Sequence, residues 1–479
     1  MFLQVLPAAT ALIFSLNETI LTFQKNGLSK RQQWHLAMLL TGIVSNGTLN
    51  LTRISFACFG SVSLAVFSAF VHRSSIPWIK IQFAALLHTL RNFDVKKIHL
   101  QIDDTDLGRS KRIRALFGVF RTIHKPTNGF QNAQNLVLLT ASAFGVSFPV
   151  AFSFYQPDPV LSKWHKDQKA SALKRKKTGK GLKVGPKPKR ARNYPTRNQI
   201  AARLLFKAQK WLSIAENTLG TEIKVISISA DAAYLDPALC KKVKKIFPDS
   251  QFISQIKSNQ MVRSKNGQFV AAKTYFSNLG KPIASTAKLR EKEKYFEYHS
   301  ARLHIKSHGR ILHIIALRYE GEEEYRYLAA SDLSWRTIDI IRSYSLRWLI
   351  EVGIQDCKGY CGLGRRACLQ GVKGAYVSVF LSLLVDCLLL THRDQLDLHQ
   401  TGQQLYTAGS VIERLRCEIN ITTIKGILDS PNPKERLSQL AETLASQVEK
   451  ASRKSRKHIR DESIFNVGPS PHLERKFGT

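Results

Sequence analysis

The chain has 479 residues, of which 44% are hydrophobic, and its 72 Lys and Arg residues against 35 Asp and Glu give a formal charge of +37. Such an excess argues against an enzyme of small-molecule metabolism and favours a polyanionic partner, nucleic acid first and an anionic membrane second. The length predicts about two to four domains, and seven cysteines without paired spacing indicate a reducing compartment.

The first 94 residues predict helices. Residues 1–25 are apolar but lack a basic leading stretch and contain Asn17 and Glu18, so they favour a helix over a signal peptide. Further on, Leu49–Cys58 followed by Ser61–Val66 is similar to a helix-turn-helix, which would bind DNA. A plain helical bundle is the alternative that the pattern leaves open.

Two predicted strands end in acidic residues. Residues 97–105 alternate between apolar and polar side chains and end with Asp103, Asp104 and Thr105, whereas residues 223–231 end with Asp231. Either acid alone is also typical of a strand-end turn or a helix cap.

The elements around these strands indicate an α/β fold. A hairpin around Phe144-Gly145, a helix near 196–217, a helix near 236–246 and a strand near 251–256 are predicted. In chain order this gives three strands, a helix, a strand, a helix and a strand.

Residues 163–192 are crowded with cations, including Lys174, Arg175, Lys176 and Lys177, and Asp167 is their only acid. Gly and Pro interrupt the run, so it predicts a flexible basic loop that binds the DNA backbone. A nuclear-import signal has the same composition and stays open.

Residues 260–332 predict a β-rich insertion. Alternating runs occupy 295–305, 311–319 and 325–330, and Ser307-His308-Gly309 predicts a turn between the first two.

The most informative segment lies further on, where Tyr344, Arg347, Glu351 and Lys358 share a predicted helix that begins near Trp335. At about 100° per residue, their spacing places the four side chains within roughly 60° of one another. A carboxylate can hold a divalent metal, and Arg, Lys and Tyr can bind phosphate oxygens. The simpler interpretation is a solvated face with an ordinary Arg347–Glu351 ion pair.

The spacing Y-x2-R-x3-E-x6-K resembles the YREK signature of the DDE transposases of bacterial insertion sequences, the cut-and-paste class that forms DNA hairpins. The strand ending in Asp103-Asp104-Thr105 resembles the first acidic box of that family, which implies that Asp104 is the first catalytic carboxylate. The resemblance likewise implies Asp231 as the second carboxylate and Glu351 as the third, with Tyr344, Arg347 and Lys358 binding phosphate.

The resemblance implies an α/β, ribonuclease-H-like catalytic domain with a β-rich insertion, flanked by helical N- and C-terminal regions. The expected parts are a helical region with the helix-turn-helix as one alternative (1–94), the core in two pieces (95–259 and 333–395), the insertion (260–332) and a helical, basic C-terminal region (396–479). A second basic run spans residues 450–460.

Three carboxylates suit two Mg²⁺ ions, which Mn²⁺ can replace, because hard cations prefer oxygen ligands. The implied function is a transposase that binds terminal inverted repeats, nicks the DNA and transfers the freed 3′ end to target DNA. It would act as a homodimer in the bacterial cytoplasm, without a membrane. The alternatives are a non-transposing ribonuclease-H-like nuclease and a catalytically silent DNA-binding protein derived from a transposase.

Two further predictions concern the helix at 375–390 and the cysteines. Residues 375–390 form the most apolar run, but the run is shorter than a membrane span and contains Asp386. A core helix is therefore expected rather than a membrane span. Cys357, Cys361 and Cys368 cluster without a nearby His, so no structural metal is expected.

Overall fold

The computed structural model describes residues 5–57, 62–109, 116–124, 127, 129–289, 292–365, 371–442 and 445. The predicted basic run at 450–460 and Cys368 lie outside them. The described part is a mixed α/β structure in which one large mixed sheet is flanked by helices.

The helices, in chain order, are α1 (Pro7–Phe23), α2 (Lys30–Asn46), α3 (Leu51–Ala57), α4 (Leu64–Arg73), α5 (Trp78–Asn92), α6 (Pro159–Thr178), α7 (Arg197–Leu219), α8 (Pro237–Ile246), α9 (Ala272–Ser277), α10 (Thr337–Ser345), α11 (Trp348–Gly359), α12 (Gly371–Leu390), α13 (Arg393–Gln400) and α14 (Ala408–Leu428).

The strands, in chain order, are β1 (Lys97–Arg109), β2 (Val119–His124), β3 (Gly129–Ala143), β4 (Val146–Tyr155), β5 (Lys224–Ala230), β6 (Gln251–Ile256), β7 (Met261–Arg263), β8 (Phe269–Ala271), β9 (Ile283–Leu289), β10 (Lys292–Ile305), β11 (Arg310–Tyr319) and β12 (Arg326–Ala330).

The centre of the sheet follows the predicted order of strands. β1 pairs in parallel with β5, β5 pairs in parallel with β6, and β3 is antiparallel to β1. The predicted hairpin is present: β3 and β4 are joined by Phe144 and Gly145, both with positive φ, as a tight hairpin turn requires. β4 therefore runs in the same direction as β1.

The strands of the insertion extend the same sheet. The three predicted runs correspond to β10, β11 and β12, with the expected turn at Ser307–Gly309. β12 pairs antiparallel with β6, so the strands of the insertion extend the central sheet beyond β6. The short strands β7, β8 and β9 were not predicted.

The N-terminal helices share a hydrophobic core with the rest of the chain. Buried side chains of α1 to α4 contact one another, α11, α12 and α14 in a single cluster. α3 and α4, which correspond to the predicted helix-turn-helix pair, lie in this bundle, where α4 packs on both α2 and α12. The core thus crosses the predicted domain boundary near residue 94.

Helix α12 has the length and apolar composition of a membrane span, and it is the one such helix in the described part of the chain. Of its most apolar window, 78% is buried within the protein. α2, α4, α5, α11 and α14 surround it. This environment is that of a core helix.

Candidate active site

The parallel pairing of β1 with β5 brings two carboxylates side by side. Ile102 of β1 is the partner of Ala230, the last residue of β5, so Asp103, which lies within β1, and Asp231, which follows β5, lie at the same level. Neighbouring strands lie about 4.8 Å apart, and the carboxyl ends of parallel strands meet at one edge. The register therefore places Asp103, rather than Asp104, next to Asp231.

Helix α11 adds the third carboxylate on the same face of β1. Arg347 Nη1 lies 3.1 Å from Asp103 Oδ2, and Nη2 of the same guanidinium donates to Glu351 Oε1. One cationic group thus binds a carboxylate from the strand and one from the helix. Successive side chains of a strand point to opposite faces, so α11 covers the face that carries Asp103.

The prediction of one continuous helix from Trp335 to Lys358 is wrong, because the helix breaks between Ser345 and Trp348. The amides of Arg347 and Leu349 bond to carbonyls three residues back, at 3.0 Å each, in the tighter 3₁₀ pattern. The Ser345 hydroxyl also donates to the Arg342 carbonyl, a contact that bends helices. The bend places Arg347 at the start of α11.

The protonation of Asp103 depends on its burial and on the charges around it. Burial raises the pKa of Asp103 to about 6, the Arg347 guanidinium opposes the rise, and the negative charges of Asp104 and Asp231 add to it. Tyr344 lies in the same environment: burial raises its pKa above the usual range, and Asp231 and Asp103 contribute. Within the described residues, the Tyr344 hydroxyl is buried without a hydrogen-bond partner.

Lys358, the next-to-last residue of α11, contacts the C-terminal part of β1. Its ammonium donates to Thr105 Oγ1 at 2.7 Å and to the Asp106 carbonyl at 3.2 Å. Arg347 and Lys358 therefore hold α11 along β1 at two points. Three of the four signature side chains, Arg347, Glu351 and Lys358, line this contact, and Tyr344 precedes it.

Asp104 lies in a different network, on the opposite face of β1. It accepts hydrogen bonds from Asn135 Nδ2 at 2.8 Å and from the Tyr234 hydroxyl at 3.0 Å, and Arg197 Nε lies 3.3 Å away. Asn135 also bonds Asp106, and Tyr234 is fully buried. Tyr234 closes the 3₁₀ turn that begins after Asp231, so Asp104 ties β1 to that turn. The sequence-based assignment of Asp104 as a metal ligand stays a prediction, and the geometry favours Asp103.

The side chains of this second network carried no signal in the local sequence pattern. Asn135 is a buried polar residue inside an otherwise apolar strand, which is the one feature that could have marked it. Arg197 and Tyr234 meet Asp104 only through long-range contacts.

The donor set fits a hard divalent cation. Asp103 and Glu351 already converge on one cationic group, the Arg347 guanidinium, and Asp231 lies beside Asp103. All three donors are carboxylate oxygens, which Mg²⁺ and Mn²⁺ prefer.

The prediction of a flexible loop at 163–192 is wrong for its first half, because α6 extends to Thr178. The helix starts at Pro159, capped by Asp158, and every Gly and Pro that suggested a loop lies after Thr178. Lys174, Arg175, Lys176 and Lys177 therefore lie exposed in the last turns of α6, where the helix dipole favours cations.

We call residues 159–193 the basic arm. Leu161 is the one buried residue of α6, and the chain returns along the helix, where Trp164 Nε1 donates to the Gly185 carbonyl at 2.8 Å. Asp158 binds both ends of the arm: its carboxylate accepts from Val160 N and from Ala191 N, each at 2.9 Å.

The basic arm starts at the edge of the sheet that carries the carboxylates. β4 ends at Tyr155, which is paired with Asn135, and Asn135 is paired with Asp106 at the end of β1. Arg197, which follows the arm, stacks 4.5 Å above the Tyr155 ring and lies beside Asp104. The basic arm therefore starts at the same end of the strands as the acids.

Comparisons with known proteins find weak structural similarity. No protein-family model matches the sequence, and no curated protein matches it. Among solved structures, a piggyBac transposase synaptic complex with hairpin DNA aligns over 92% of this chain and 83% of that chain, at 10% identity and a TM-score of 0.41. The NurA nuclease from Sulfolobus solfataricus aligns over 53% of this chain and 72% of that chain, at 10% identity and a TM-score of 0.19. At these values the likenesses carry no argument, and function has to be inferred from the site.

The raised pKa of Asp103 makes a prediction about metal-free protein. Because the unfolded chain loses this proton near pH 3.8 and the folded chain near pH 6, the carboxyl costs stability progressively over that interval. Asp103→Asn should therefore gain about 1–3 kcal/mol in unfolding free energy, relative to wild type, between pH 4 and pH 7. Urea unfolding with a chelator present measures this difference. A difference that does not change with pH would contradict the assigned environment of Asp103.

Proposed function

We propose that this protein is a metal-dependent DNA transposase of the DDE type, and that its three carboxylates are Asp103, Asp231 and Glu351. The observation that carries the proposal is the convergence of Asp103 and Glu351 on Arg347, with Asp231 adjacent through the β1–β5 register. The site choice departs from the sequence-based assignment at one position, where Asp103 replaces Asp104.

The ribonuclease-H-like fold belongs to the proposal. Its support is the chain order of three strands, helix, strand, helix and strand, with β2 and α6 as additions, and a parallel β1–β5–β6 core. The bacterial YREK family, a homodimer on paired terminal inverted repeats and a cytoplasmic location are proposed on the sequence motif alone.

Two Mg²⁺ ions, or Mn²⁺ in their place, would be held by Asp103, Asp231 and Glu351, and when bound would supply charge neutralisation and an activated oxygen nucleophile. Arg347 binds Asp103 and Glu351 and would turn toward a phosphate of the cleaved strand, which its planar fork can grip with two hydrogen bonds. Tyr344 supplies a neutral hydroxyl beside it, and Lys358 keeps α11 against β1.

The basic arm would hold the DNA at the same edge. Its cations gain binding energy by releasing counterions from the backbone, which needs no particular base sequence. This assigns non-specific affinity to the arm and leaves recognition of the terminal repeats to other surfaces.

The first prediction of the proposal separates the two adjacent aspartates. Asp103→Ala, Asp231→Ala and Glu351→Ala should each reduce Mg²⁺-dependent cleavage of a labelled terminal repeat to background, while DNA binding persists, because only a metal ligand is removed. Asp104→Asn should retain activity with a loss of about 10–100-fold, as expected of a residue that positions its neighbours. An inactive Asp104→Asn together with an active Asp103→Ala would return the role to Asp104.

The basic arm gives a prediction about salt dependence. Changing Lys174, Arg175, Lys176 and Lys177 to Gln should weaken binding to specific and random duplexes alike, and should flatten the slope of log K against log salt by about 3. The matched control changes four exposed cations of α8 to Gln, which should alter the slope less: Lys241, Lys242, Lys244 and Lys245. Equal slopes for wild type and the arm variant would contradict binding of the DNA backbone by the arm and would favour its interpretation as a nuclear-import signal.

Arg347 gives the prediction that distinguishes a transposase from a plain nuclease. Arg347→Lys conserves charge but loses the bidentate fork, so the first nick should survive while hairpin formation and strand transfer are lost. A gel assay that resolves nicked, hairpin and transferred products measures the three steps. Wild-type proportions of all three products in Arg347→Lys would favour the non-transposing nuclease.

A further inference from the structure

Three possible metal ligands meet where α11 ends against α12. The Sγ atoms of Cys357 and Cys361 and a carboxylate oxygen of Asp386 all lie within 4.8 Å of one another. Both thiols are free and buried, with Cys357 4% and Cys361 0% exposed. The Cys361 amide bonds to the Cys357 carbonyl at 3.2 Å, so one turn of backbone holds the two sulfurs on the same side.

Asp386 is hard to explain as a packing residue. It is the one charged residue between Ala375 and Leu390, in the most apolar helix of the chain. Among the described residues it forms no ion pair, and Asp356 adds a second negative charge nearby. Asp386 is half-buried and forms a side-chain hydrogen bond with Cys357, and a carboxylate this far inside a protein is normally paired or bound to a metal, because desolvating a charge is costly. Burial raises the pKa of Asp386 to about 7, in line with that cost.

A small cavity adjoins two of the three side chains, those of Cys357 and Asp386. Its volume is about 20 Å³, and Cys357, Asp386, Thr140 and Ser147 are among the residues that line it. This is room for one water molecule or ion, and the two hydroxyls are suitable hydrogen-bond partners for a bound water. The cluster therefore has both a set of donors and a space beside them.

We propose that Cys357, Cys361 and Asp386 bind one Zn²⁺ ion, with a water molecule as the fourth ligand. Tetrahedral zinc with Zn–S bonds of about 2.3 Å requires sulfurs about 3.8 Å apart, a separation that the observed cluster allows. Thiolates select zinc over Mg²⁺, so this site differs in chemistry from the one formed by the three carboxylates. The ion joins the end of α11 to α12 and fixes the helix that carries Glu351 and Lys358.

The test uses tag-free, full-length protein and two probes, bound zinc and Co²⁺ in its place. We expect about one zinc per chain by elemental analysis after desalting, and a thiolate-to-cobalt absorption band when Co²⁺ replaces the zinc. The double variant Cys357→Ser/Cys361→Ser should lose both signals. Asp386→Asn should bind zinc about 10–100-fold more weakly, by analogy with other losses around metal sites.

Matched controls separate this site from other thiols and from the carboxylates. Cys240→Ser and Cys387→Ser each remove a buried thiol outside the cluster and should keep both signals. Glu351→Gln removes a carboxylate of the proposed DNA-cleaving site and should also keep them, so failure of one site leaves the other unaffected.

The decisive comparison is between wild type and Asp386→Asn. For a zinc site, a chelator lowers the melting temperature of wild type, and Asp386→Asn, which binds zinc more weakly, shows the same loss at a lower chelator concentration. Wild-type protein without zinc, without the cobalt band and with a melting temperature that a chelator does not change would overturn the proposal. In that case the cluster is a protonated carboxyl hydrogen-bonded to a thiol.

Discussion

The site depends on one arrangement of charge: Asp103, within β1, lies beside Asp231, just after β5, and Arg347 supplies the positive charge that binds Asp103 and Glu351. Asp103 and Asp231 emerge side by side because β1 and β5 pair in parallel with Ile102 opposite Ala230. Burial is the main cause of the raised pKa of Asp103, the negative charges of Asp104 and Asp231 add to the rise, and the Arg347 guanidinium opposes it. Arg347 supplies the charge and also reaches Glu351, so the same guanidinium determines where α11 lies.

Around this contact the fold provides support on both faces of β1. On one face Arg347 and Lys358 hold α11 along the strand, and α12 packs behind it in the largest core. On the other face Asp104, with Asn135 and Tyr234, ties β1 to β3 and to the turn after Asp231. The basic arm leaves the sheet after β4, where Arg197 stacks on Tyr155 and lies beside Asp104, across β1 from Asp103.

The local sequence pattern predicts the elements that depend on neighbouring residues alone. The β3–β4 hairpin follows from Phe144-Gly145, and β10 to β12 follow from the alternation of apolar and polar residues. Other features depend on tertiary contacts, which no local pattern contains. No Gly or Pro marks the bend before Trp348. The Gly and Pro of residues 163–192 predict a loop, but all of them follow Thr178, where α6 ends. The choice between Asp103 and Asp104 depends on which face α11 covers, and Asp386 lies far in sequence from Cys357.

The most direct measurement is anomalous scattering from crystals grown or soaked with Mn²⁺, which locates the metal without any assay of activity. The account predicts anomalous density enclosed by Asp103, Asp231 and Glu351, with the Arg347 guanidinium moved off Glu351. Density on the opposite face of β1, beside Asp104, Asn135 and Tyr234, would contradict it. So would the absence of density near the acids at Mn²⁺ concentrations that support DNA cleavage.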